Sequence, residues 1–150
     1  MDAYDANLLA RILLTLATVG YGFVTIKADF NRTHATNPAW TPHARFHVVW
    51  QISSYCGFAL LALALIWLRG PMYVERLYLA GAFAGVVYGA FYVALLAMPL
   101  YGGRTFDDNG YLPFRVPLAG RWDVNVTAFS VLLLILVGGI VSVAHAGVGG

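Results

Sequence analysis

The chain has 150 residues, 60% of them hydrophobic and 11% charged, with a mean hydropathy of +0.71. Soluble domains carry roughly 25% charged residues, so this is the composition of a membrane protein. The net charge of +2 gives no case for nucleic acid, and the single cysteine, Cys56, excludes a disulfide framework.

Every charged residue falls outside four apolar blocks, at 12–26, 46–68, 77–103 and 124–150. A helix needs about 20 apolar residues to cross a hydrocarbon core of ~30 Å. The last three blocks exceed that length. The first reaches it with Leu8, Leu9 and Ala10, if Arg11 bends its charge toward the interface. The expected fold is all-α: a polytopic membrane four-helix bundle with two longer polar loops on one side. It forms one transmembrane domain over 1–150, with helices at about 8–26, 43–68, 76–98 and 123–146. Asp2 and Asp5 precede the apolar run with no basic stretch, so the start does not read as a cleavable leader.

The first connection is the most informative segment. Residues 29–51 hold His34, His43 and His47, together with Asp29, Arg32, Arg45, Trp40 and Trp50. Asn37-Pro38 signals a turn, and Thr41-Pro42 fits an N-cap followed by proline at the first helical position. His43 and His47 then lie four apart, and Gln51 and Ser54 continue the line at helical spacing. Such a polar stripe in a membrane helix is expected to face the bundle interior.

Three chemistries fit these residues. Two imidazoles at i and i+4 suit a single divalent metal, with His34 as a third ligand to His43 and His47. Without metal, His43 and His47 with Asp29 could move protons on a lipophilic substrate, because histidine titrates near neutrality. Alternatively, Arg45 beside both histidines at a helix N-terminus suits an anionic headgroup. A bis-histidine haem is less favoured, because His47 and His145 lie near opposite membrane faces and cannot hold one iron.

The third helix carries Gly81, Gly85 and Gly89 at four-residue spacing, a ridge that suits close helix packing within the bundle or in a homo-oligomer. Tyr88 and Tyr92, on another face, are candidates to line a pocket. In the second polar loop, Asp108-Asn109-Gly110 is a hairpin-turn signal, which suggests a small hairpin lid. Asp123 is placed to cap the last helix and to reach a ligand at the same mouth.

An even number of spans puts both termini on the same side, opposite the two polar loops. The loop side carries Lys27, Arg32, Arg45, Arg104, Arg115 and Arg121, against Arg11, Arg69 and Arg76 on the other. The positive-inside rule then places the loops in the cytoplasm.

The chain's size, its four spans and its His43-Ala44-Arg45-Phe46-His47 segment resemble small bacterial and fungal four-helix membrane proteins of unassigned activity. The layout also resembles the EXPERA group of sterol isomerases and sterol-binding proteins and, more distantly, DoxX-like redox accessory proteins. It departs from EXPERA isomerases in having no acid within its apolar blocks. These readings imply a membrane enzyme or binding protein for a sterol-, isoprenoid- or quinone-like molecule. Its catalytic candidates are His47, His43 and Asp29, with acid–base isomerase-like or metal-dependent chemistry. Arg45, Gln51, Trp50, Ser54, Tyr88, Tyr92 and Asp123 are the ligand-binding candidates. The alternative is a non-catalytic accessory subunit of a larger membrane complex.

Overall fold

The computed structural model describes Tyr4 and residues 7–117 and 120–148; Asp2 and Asp5 lie outside the described residues. Among these residues, four helices are long and apolar enough to cross a membrane. They are α1 (Leu8–Asp29), α2 (Pro42–Trp67), α3 (Tyr73–Tyr101) and α4 (Val124–Val148). Two short antiparallel strands, β1 (Phe114–Val116) and β2 (Gly120–Trp122), sit in the connection before α4, with Arg115 opposite Arg121. The chain is a multi-pass membrane protein in length, composition and architecture.

The helices run up and down. Gly22 of α1 packs on Ala59 of α2, Phe58 of α2 stacks on Phe83 of α3, and Phe91 of α3 stacks on Phe129 of α4. Leu13 and Leu14 lie against Gly138 and Gly139, which closes α1 onto α4. Small residues bring the backbones together where hydrophobic driving force between helices is weak in lipid. A Cβ on Gly22 would lie 2.3 Å from the Ala59 Cβ, so only glycine allows that approach. The core is built from Leu14, Ala17, Tyr21, Ala59, Ala62, Ile66, Leu77, Ala84, Tyr88, Leu136 and Val143. Leucines such as Leu96 and Leu100 are exposed on the outer surface, as lipid contact requires.

Helix α1 is not regular. Its α-helical part, Leu8–Val19, passes into one π-helical turn at Gly20–Val24 before resuming at Thr25–Asp29. Side chains satisfy the carbonyls around that turn. The Thr25 hydroxyl donates to the Tyr21 and Gly22 carbonyls (3.0 and 3.1 Å), and the Tyr88 hydroxyl donates to the Ala17 carbonyl at 2.5 Å. This irregularity carries α1 three residues beyond the expected end, to Asp29. Pi turns of this kind often accompany functional sites.

The other boundaries have local causes. The Thr41 side chain accepts from the Ala44 amide at 3.2 Å and Pro42 occupies the first helical position, so α2 begins as its sequence signals. Helix α3 starts at Tyr73 and continues through Pro99 to Tyr101, longer than the expected 76–98. Gly102 stops it with φ +67°, a left-handed conformation that glycine adopts without steric cost.

The hairpin differs from expectation. Asp107 and Gly110 do form a turn, with the Gly110 amide donating to the Asp107 carbonyl at 2.9 Å. The strands nevertheless pair four residues later, across a connection that includes residues 118–119, outside the described set.

Arg11 does not bend outward. It is buried, with its guanidinium 3.5 Å from the Tyr4 ring centroid and 4.1 Å from that of Trp67. Aromatic faces therefore accommodate this cation at the end of the bundle opposite the two long connections.

Candidate functional site

The polar end of the bundle is held by a small network of asparagines. Asn31 follows the end of α1 and donates to the Lys27 and Ala28 carbonyls, while its Oδ1 accepts from the Thr33 amide and hydroxyl. Asn37 is buried and ties the first connection to the second. It donates to the Thr33 carbonyl at 2.9 Å and accepts from the Ala39 amide at 3.0 Å and from Asn109 Nδ2 at 3.2 Å.

The second connection is fastened to α4. Thr105 donates to Asp123 Oδ2 at 2.5 Å, Asp123 Oδ1 accepts from the Val126 amide, and Asn125 Nδ2 donates to the Thr105 carbonyl at 2.7 Å. Asp123 is thus the N-cap of α4, with both oxygens engaged.

Two cavities open within this frame. Chamber I, of about 300 Å³, lies between α2 (Val48, Gln51), α3 (Phe91, Ala94, Leu95, Met98) and α4, with His34, Trp40, Tyr101, Arg104 and Thr105 at its rim. Chamber II, of about 270 Å³, lies between the end of α1 (Gly20, Val24, Thr25, Ala28), Tyr55 of α2 and α4 (Val124, Ala128, Leu132), with Lys27 and Tyr111 at its rim. Asp29, Gln51, Asn125 and Phe129 line both chambers. These four residues form a waist, polar on three sides and aromatic on the fourth. Chamber I is at the lower end of the ~300–1,000 Å³ typical of small-molecule sites, and chamber II falls just below it.

The π turn shapes chamber II. It supplies Gly20 and Val24 to the wall and sets the direction in which the last turn of α1 delivers Asp29. The Asp29 carboxylate lies 3.8 Å from His34 Nδ1, beyond hydrogen-bond distance. His34 in turn meets the Thr33 hydroxyl at 2.7 Å and sets its ring edge-on to Trp40, with centroids 5.2 Å apart. Tyr55 lies against Gln51, within the field of Asp29.

The expected site residues divide sharply. Asp29, His34 and Gln51 line the chambers. His43 and His47 do not. They are exposed on the outer face of α2 with their Nε2 atoms 3.0 Å apart, and His47 stacks on exposed Trp50. The interior stripe expected of α2 is therefore corrected. Its inward line runs through Val48, Ile52, Tyr55, Ala59, Ala62 and Ile66. At about 100° per residue, His47 is turned roughly 100° from that line and His43 further still, with Gln51 at its margin.

Arg45 and half-buried Ser54 line neither chamber. Tyr88 is fully buried on Ala17, and Tyr92 meets the Ser130 hydroxyl at 2.7 Å; both pack rather than line. His34, His43 and His47 do not converge. Among the described residues no group of three histidine, cysteine, aspartate or glutamate side chains is placed to hold a metal.

The glycine ridge also divides. Gly81 packs on Ile140, whereas a Cβ on Gly85 or Gly89 would meet nothing within 4 Å. The hairpin lines neither chamber, and the rim comes instead from Arg104, Thr105 and Tyr111 before it.

Asn125, Phe129, Trp40, Tyr55 and Arg104 were not anticipated as site residues. One signal was available: Asn125 and Phe129 stand at i and i+4, as do Gln51 and Tyr55, each pairing a polar group with an aromatic on one helical face.

No curated protein and no solved structure matches the chain, so the layout likeness to the EXPERA and DoxX groups gains no support. Residues 13–142 match the family described as "Family of unknown function (DUF6640)", and the chain belongs to that family.

Proposed function

We propose that this protein binds a lipophilic small molecule with a polar head at one face of the membrane. The supporting observation is the shared waist: Asp29, Gln51, Asn125 and Phe129 line both a mixed polar and apolar chamber and a mostly apolar one. Polar side chains are costly at membrane depth and mark functional positions there. A head at the waist with an apolar body in a chamber is the arrangement that uses both. Sterol-, isoprenoid- and quinone-like molecules or a membrane lipid share that amphipathic shape.

Acid–base, isomerase-like chemistry on such a ligand would fall to Asp29 with His34, the carboxylate–imidazole pair at the cavity, rather than to His43 and His47. In this reading both chain ends lie on the membrane side opposite the site, and the excess of basic residues in the two long connections supports a cytoplasmic site.

The test is mass spectrometry of compounds that co-purify with the protein from a host membrane. Wild type is expected to retain a lipophilic compound at near-stoichiometric level, and the Gln51→Leu/Asn125→Leu double variant to lose it. Equal retention by both proteins, or none by wild type, would count against the reading.

A second reading rests on α3. The open positions at Gly85 and Gly89 offer a close-packing surface to another helix, as an accessory subunit or a homo-oligomer would use. Large residues at those two positions would then disrupt a complex without altering the chambers.

A further inference from the structure

Within the proposed binding function, on which this inference rests, the polarity of the waist selects the chemistry of the ligand head. Asn125 donates one amide hydrogen to the Thr105 carbonyl, at 2.7 Å, which fixes the orientation of the amide. Its Oδ1 remains to accept. Among the described residues no hydrogen bond reaches the Asp29 carboxylate, whose nearest partner is His34 at 3.8 Å. On the wall of chamber I, Pro99 has no N–H to return to the Leu95 carbonyl, a further acceptor without its helical donor. Among the described residues, the Asp29 carboxylate and Asn125 Oδ1 are thus acceptors at the waist without a protein donor.

The charges argue for a neutral donor. Lys27 and Arg104 are exposed at the rims of chambers II and I, and His34 stands beside Asp29. The carboxylate already has cationic neighbours, and an ammonium head would have to enter between them. A hydroxyl avoids that repulsion and satisfies an acceptor that would otherwise face an apolar body. A quinone or ketone head brings only acceptors and leaves the waist unsatisfied, which is costly in a desolvated site.

We propose that the two-chambered site takes a lipophilic alcohol, with its hydroxyl donating to the Asp29 carboxylate at the waist and its chain in chamber II.

The test is competitive native mass spectrometry of the full chain in detergent micelles. The probes are one C15 isoprenoid alcohol, its methyl ether, its aldehyde and its primary amine, at equal concentrations. The alcohol is expected to occupy the protein about tenfold more than the ether or aldehyde, the ratio that one hydrogen bond to a charged or desolvated acceptor supports. It is also expected to exceed the amine. Asp29→Leu should reduce the alcohol to the level of the ether while leaving ether binding unchanged, and His47→Ala should leave the ratios as in wild type. Equal occupancy by alcohol and ether in wild type overturns the alcohol assignment but leaves lipophilic binding standing. Preference for the amine overturns the neutral head. Absence of all four probes from wild type overturns both this inference and the binding function. The wild-type ratio needs no variant to fold.

Discussion

The Asp29 carboxylate and the His34 imidazole face each other at 3.8 Å across the entrance to the chambers, close enough to interact but without a hydrogen bond. His34 is held elsewhere, by the Thr33 hydroxyl at 2.7 Å and the edge of Trp40. Asp29 thus keeps its acceptor capacity for a ligand. His34→Ala is expected to lower occupancy by a co-purifying ligand about two- to threefold, and Asp29→Leu about tenfold, the difference between an indirect and a direct contact. Quantitative mass spectrometry of the extracted ligand checks both. A larger loss in His34→Ala would make His34 the primary contact.

His43 and His47 lead to the opposite expectation. They touch each other and the exposed aromatics Phe46 and Trp50, outside both chambers. His43→Ala and His47→Ala should retain ligand within about twofold of wild type and change stability by less than ~0.5 kcal/mol, as surface substitutions usually do. Loss of ligand in either variant would move the site to the outer face of α2.

Asn37 is the buried tie between the two polar connections. Asn37→Ala removes its bonds to Thr33, Ala39 and Asn109 and empties the space of a buried side chain. The expected cost is about 1–3 kcal/mol, read as a lower thermal midpoint in detergent. Asn109→Ala removes one bond at an exposed position and should cost less.

The glycines separate packing from open surface. Gly22→Ala would place a Cβ 2.3 Å from that of Ala59 and should destabilise the protein by about 1–3 kcal/mol. Gly89→Ala meets nothing within 4 Å and should be neutral or slightly stabilising, by up to ~1 kcal/mol from helix propensity. Thermal unfolding of the two variants side by side tests the α1–α2 contact.

The architecture was readable because each span announces itself. Long apolar blocks, charges confined to their ends, and the Thr41-Pro42 start of α2 all act locally. The Asp123 cap was readable for the same reason. The site was only half readable. Asp29, His34 and Gln51 were named from the first connection, but the direction in which α2 faces depends on its packing against α1 and α3. The apolar positions of α2 run almost all round the helix, so periodicity within that segment does not choose a side. The π turn of α1 and the inward turn of Asn125 depend on Tyr88 and Thr105, which are distant in sequence. Helix α3 runs past the expected end at 98 because a last-turn proline such as Pro99 costs only one carbonyl partner.

The most direct measurement blocks the chambers without touching their polar groups. Ala128 lines chamber II and Ala94 lines chamber I, and neither is packed in the core, so the fold has room for a larger side chain at each. Ala128→Phe and Ala94→Phe, purified alongside wild type, are compared for co-purifying lipophilic compounds by mass spectrometry and for thermal midpoint. The binding account predicts an unchanged midpoint in both variants and loss of most of the bound compound in Ala128→Phe. Full retention of the compound in both variants, with the fold intact, would contradict it.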